Sequence, residues 1–94
     1  MDNQANLNQN NLLTVVVKSP TRTEFSGQAK SVTSYNKKGK FDVLAYHANF
    51  ISIIEQMVII RHPDKEDIKI AVERGVMKIT KDTVTVLIGV HSIK

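Results

Sequence analysis

Apolar and polar residues alternate with a period of two along much of this chain. Leu13, Val15 and Val17 alternate with Thr14, Val16 and Lys18, and Phe41 and Val43 with Lys40 and Asp42. Ile68, Ile70 and Val72 alternate with Lys69, Ala71 and Glu73, and Val84, Val86 and Ile88 with Thr85, Leu87 and Gly89. Side chains that point alternately to the two faces of a strand produce this pattern. Two runs, Phe50–Ile54 and Val58–Ile60, are almost continuously apolar, as in strands buried on both faces, with Glu55-Gln56-Met57 between them. Shorter strands are expected from Thr23 to Ser26, ending at Gly27, from Ala29 to Tyr35, and from Val76 to Ile79.

The breakers fall between these runs. Ser19-Pro20-Thr21-Arg22, Asn36-Lys37-Lys38-Gly39-Lys40, His62-Pro63-Asp64-Lys65-Glu66 and Lys81-Asp82 all read as turns. Gly39 supplies the positive φ that a hairpin requires. No segment has helical periodicity. The pattern predicts an all-β domain, a flattened β-sandwich of about ten short strands. Its expected core is Leu13, Val15, Val17, Phe25, Val32, Phe41, Val43, Ile53, Ile59, Ile70, Val72, Ile79, Val84 and Val86. Residues 1–11, mostly Asn and Gln, are expected to form a disordered polar tail ahead of a sandwich over 12–94.

The order of residues from Phe25 to Ala48 resembles a known family. Phe25-Ser26-Gly27 is followed by Gly39-Lys40-Phe41-Asp42-Val43-Leu44, then by His47-Ala48. This is similar to the β-domain of the epsilon subunit of F-type ATP synthases, called delta in mitochondria. That pattern has a Phe-x-Gly step and then Gly-x-Phe/Leu-Gly-Val/Ile-Leu-Pro-Gly-His-Ala-Pro. Here Asp42 replaces a Gly, Ala45-Tyr46 replaces Pro-Gly, and Asn49 replaces Pro. Arg74-Gly75 keeps the second residue of the family's Gly-Gly step, and the Pro-Gly usual near Glu55-Gln56-Met57 is missing. The likeness runs from about Leu13 to Val90.

The resemblance implies a non-catalytic central-stalk subunit that docks gamma onto the ring of c subunits and helps couple ion flow to ATP synthesis. It assigns Lys37, Lys38, Gly39, Lys40 and Asp42 to the ring side, and Ser19, Tyr46 and His47 to the gamma side. The matching loop is acidic in many relatives and faces a basic residue of the c subunit, whereas here it carries three lysines. The family's C-terminal helical hairpin is not expected in this sequence, so its inhibitory and ATP-sensing roles are not carried over. The implied location is peripheral, on the cytoplasmic face of a bacterial inner membrane.

Composition narrows the remaining classes. The 94 residues include no cysteine, which excludes a disulfide framework and thiolate chemistry. No apolar run is long enough to span a bilayer, and a signal peptide's basic start and apolar core are not evident. His47, His62 and His91 lack zinc-like spacing, and Lys-Lys-Gly-Lys lacks the Walker spacing, so no metal or cofactor is expected. His47, Asp42 and Ser52 could be written as a triad, but triads are recognised by geometry and not by order. The alternative function is a small basic β-domain that binds nucleic acid, with Lys37, Lys38 and Lys40 for charge and Tyr35, Phe41 and Tyr46 for stacking. Formal net charge is +4, diluted by Glu55, Asp64, Glu66 and Asp67.

Overall fold

A computed structural model describes residues 12–45 and 49–89. The polar tail expected over 1–11 lies outside the described residues. The described residues form seven strands and no helix: β1 (Leu13–Lys18), β2 (Thr23–Ala29), β3 (Ser31–Asn36), β4 (Gly39–Leu44), β5 (Phe50–Arg61), β6 (Ile68–Thr80) and β7 (Thr83–Ile88). They make one hydrogen-bonded sheet in the order β2-β1-β7-β6-β5-β3-β4. Only β1 and β7 are parallel; every other neighbour pair is antiparallel.

The count is seven because runs that look separate in sequence are continuous strands. β5 passes through Glu55-Gln56-Met57, and β6 passes through Arg74-Gly75. Both strands serve two layers. β7 pairs only with the second half of β6, Gly75 to Thr80, whereas β3 pairs with β5 from Glu55 onward. One layer is therefore β2, β1, β7, the end of β6 and the start of β5. The other is the start of β6, the end of β5, β3 and β4.

The change of layer is made at a register slip. Ile54 lies opposite Gly75 but Gln56 lies opposite Val72, so β6 accommodates one more residue than β5 at that point. Such a bulge bends a strand and sharpens its twist. On β6 the inward positions shift from Ile68, Ile70 and Val72 to Gly75, Met77 and Ile79, leaving Glu73 and Arg74 exposed. Gln56 sits at φ 75°, where a residue with a Cβ is disfavoured. Ser34, fully buried on β3, donates its hydroxyl to the Met57 carbonyl at 2.8 Å and so fills a place in the irregular β3–β5 ladder. Gln56→Gly is expected to keep or raise stability, and Gln56→Ile to cost about 1–2 kcal/mol. Urea unfolding of the two variants checks this; equal midpoints would show that the conformation carries no strain.

The two layers enclose one apolar cluster. Leu13, Val15, Val17, Met77, Ile79, Val84 and Val86 come from one layer, and Val32, Val43, Val58, Ile60 and Val72 from the other. Each large side chain buried there contributes about 1.5–3 kcal/mol before conformational entropy is set against it. Phe25, Phe41 and Ile70, expected in the core, are partly buried against its edge. Two expectations are corrected. Ile53 is 57% exposed and Ile59 is only half-buried, because Ile54, Val58 and Ile60 hold the inward positions of β5. In apolar runs without alternation the sequence offers no phase; pairing of Ile54 with Gly75 and of Ile60 with Val32 sets it.

Two glycines of the pattern have visible reasons. The Phe25 ring lies across Gly27, where a Cβ would come within 3.2 Å of the ring. Gly39 has φ 121° after the Lys37-Lys38 turn, as expected.

Candidate docking surfaces

The β3–β4 hairpin carries all the residues assigned to the ring side. Asn36 pairs with Gly39, and the Lys38 amide donates to Asn36 Oδ1 at 2.8 Å, an Asx-type closure of the turn. Lys37, Lys38, Gly39 and Lys40 are exposed. Asp42 is exposed too, but its carboxylate accepts the hydroxyl of Thr33, its cross-strand partner. Among the described residues the ion pairs Arg22–Glu24 and Arg61–Asp67 lie elsewhere, and no carboxylate pairs with Lys37, Lys38 or Lys40. The hairpin therefore presents positive charge to its surroundings.

Beneath the tip, between the layers, is an open groove of about 270 Å³. Phe41 of β4 and Phe50 of β5 form its apolar part, with ring centroids 5.7 Å apart and planes inclined by 63°. Lys38, Lys40, Asn36 and Asp42 border it. Asn36 Nδ2 donates to Ser52 Oγ at 3.1 Å and ties the hairpin to β5. Phe41 is legible as an apolar position in the sequence; its pairing with Phe50 across the layers is not. Phe41 is partly buried against the core and already in contact with Phe50, so it is not the freely exposed ring that the nucleic-acid alternative calls for.

Of the residues assigned to the gamma side, only Ser19 is among the described residues. Tyr46 and His47 lie outside the described residues. Their neighbour Asn49 accepts the Lys81 amide at 3.2 Å, which fixes the start of β5 beside the β6–β7 turn. Ser19 closes the turn after β1: its backbone N–H donates to the Arg22 carbonyl at 2.9 Å, and its Oγ accepts the Arg22 amide at 3.3 Å. The hydrogen bond from Arg22, assisted by Ser19, holds the Glu24 carboxyl below its ordinary range. Asn49 and Ser19 stand at opposite ends of one layer's outer face. Ile53 pairs with Val76, Val76 with Leu87, and Leu87 with Lys18. Ile51, Ile53 and Leu87 are 67%, 57% and 44% exposed. This apolar outer face is not legible in the unbroken apolar run of β5, where Ile53 is expected to point inward.

The described geometry has the character of a binding module: a stiff two-layered sheet with a basic hairpin at one end and an apolar outer face. Comparison with known proteins gives the family. Residues 12–90 match the family model described as ATP synthase, Delta/Epsilon chain, beta-sandwich domain, and the chain belongs to that family. It is 33% identical over 79 residues to the ATP synthase epsilon chain of Campylobacter jejuni, covering 83% of this chain and 61% of that one. It is 32% identical over 77 residues to that of Sulfurimonas denitrificans, covering 81% of this chain and 59% of the relative. The chain thus spans about three-fifths of the length of these relatives. Among solved structures, the fold is similar to a chain of the Euglena gracilis mitochondrial ATP synthase (OSCP/F1/c-ring), with TM-score 0.75 and 10% identity, covering 81% of this chain and 49% of that chain. A chain of the Tetrahymena thermophila mitochondrial ATP synthase central stalk/c-ring gives TM-score 0.65 and 9% identity, covering 81% of this chain and 62% of that chain.

Proposed function

We propose that this domain is a non-catalytic stalk module of a rotary F-type ATP synthase, joining a gamma-type subunit to the ring of c subunits. The observation that carries this reading is the match over 12–90, which spans every described strand. Both solved complexes with this fold include a c-ring, and one of them is a central stalk/c-ring assembly. In this reading the domain transmits torque by being stiff and firmly docked, which suits two layers packed on one dense core. Its location is peripheral, on the cytoplasmic face of a bacterial inner membrane.

The gamma partner covers the outer face bearing Ile51, Ile53, Val76 and Leu87, with the Ser19 turn at one end and Asn49 at the other. Exposed apolar groups of this kind are characteristic of contact surfaces. Purified chain mixed with its cognate gamma subunit is expected to form a stoichiometric complex. His47→Asp combined with Ser19→Glu should weaken that complex about tenfold or more, by placing unpaired charge in a desolvated contact. Titration calorimetry is the measurement, and unchanged affinity would show that these two residues do not face gamma.

The hairpin tip faces the ring. Its lysines require that the cognate c-subunit loop be acidic, or at least not basic, because like charges across a contact select against it. Lys38→Glu with Lys40→Glu is expected to weaken docking on the cognate ring at 50 mM salt, and added salt should shrink the difference. A cognate loop rich in Arg or Lys, or a double variant that docks more tightly, would reject the ring-side assignment.

A further inference from the structure

The groove under the hairpin is more than a charged surface. Phe41 and Phe50 come from different layers and leave an apolar recess of about 270 Å³ that the described residues do not fill. The recess is bordered by Lys38 and Lys40, which have no carboxylate partner among the described residues. Asp42, the acidic residue that lines the recess, accepts the Thr33 hydroxyl and forms no ion pair with either lysine among the described residues. An apolar floor with cations at its border suits a segment that has an apolar side chain beside a carboxylate. A purely acidic segment would leave the rings covered by water, and a purely apolar one would leave the ammonium groups without counter-charge.

We propose that the Phe41–Phe50 groove is a socket for one apolar side chain of the ring's exposed loop, with a neighbouring carboxylate of that loop held between Lys38 and Lys40. The proposal rests on the ring-facing assignment of the hairpin and deepens it. The two halves of the socket differ in their response to salt. Charge contacts at an exposed border are screened, whereas burial of an apolar side chain is not. Docking through the lysines alone would disappear at high salt; docking that also uses the socket would keep a salt-resistant part.

The test is binding of the folded chain to the detergent-solubilised cognate ring at 50 mM and 500 mM salt. It compares wild type, Phe41→Leu, Phe50→Leu, and Lys38→Ala with Lys40→Ala. Leucine keeps the sites apolar but removes the ring surfaces; thermal unfolding of each variant identifies those that remain folded, and either Phe variant alone is sufficient. The folded Phe variant is expected to bind about tenfold more weakly at both salt concentrations, and the lysine variant to be weakened mainly at 50 mM. If wild type docks and the folded Phe variant docks equally well, the socket is overturned while the stalk reading stands. If wild type fails to bind the ring at all, both fall. If a single-stranded oligonucleotide displaces the ring from the groove, with the loss at Phe41 or Phe50 following the oligonucleotide, the socket belongs to another partner and the proposal is overturned.

Discussion

Replacing Gly75 with alanine is expected to cost about 3 kcal/mol, at the upper end of what overpacking a core does. A Cβ at this position would stand 2.6 Å from the Leu87 carbonyl oxygen, with Ile54 Cγ1 and Ile88 Cα both at 3.4 Å. The closest atom is backbone in a neighbouring strand, so no rotamer change relieves the contact. Relief requires β6 and β7 to part where Gly75 pairs with Ile88 and where the Gly89 amide donates to the Arg74 carbonyl at 3.1 Å. Against a total stability of about 5–15 kcal/mol, such a loss is large. Each kcal/mol shifts the thermal midpoint of a domain this size by about 4–8 °C. Urea and thermal unfolding measure it. Adding Ile54→Val to Gly75→Ala should not restore stability, because the collision is with a carbonyl and not with the Ile54 side chain. Full rescue by that second change would reverse this account, and a loss below about 0.5 kcal/mol would remove it.

The second large effect separates two adjacent isoleucines. Ile54→Ala is expected to destabilise the domain by about 3–4 kcal/mol, through lost burial plus the cavity left behind. Ile54 is fully buried and packs over Gly75. Ile53→Ala should cost no more than about 1 kcal/mol, the span of strand propensity, because its side chain is 57% exposed. The same Ile53→Ala change should weaken gamma binding, since Ile53 belongs to the proposed gamma face. Equal stability losses at the two positions would mean that β5 does not hold the phase described above.

Much of the fold was legible along the chain where hydrophobic alternation was clean. β1, β4 and β7 carry their buried residues at the positions that alternation predicts, namely Leu13, Val15 and Val17, then Val43, then Val84 and Val86. The hairpin at Lys37-Lys38 followed from Gly39 and from the turn-forming residues around it. Phase failed on β5, where Ile51, Ile53, Ile54, Ile59 and Ile60 are all apolar and only half of such positions can face the core. Strand number failed for a related reason. Polar interruptions at Glu55-Gln56 and Arg74-Gly75 resemble turns, yet both segments remain paired to neighbours and become the bend of a single sheet.

The candidate docking residues divide in the same way. The charge of Lys37, Lys38 and Lys40 and their place on a turn are properties of a local stretch, so the sequence by itself determined them. It also determined the all-β class, the family likeness, and most of the core on strands that alternate, because period-two patterning reflects the local geometry of the strand. The tertiary structure alone decided which layer each half of β5 and β6 joins, which isoleucines face outward, and that Phe41 meets Phe50 across the gap. Those outcomes depend on register between segments distant in the chain. Where both phases of a strand are apolar, only its paired neighbours determine which face is buried.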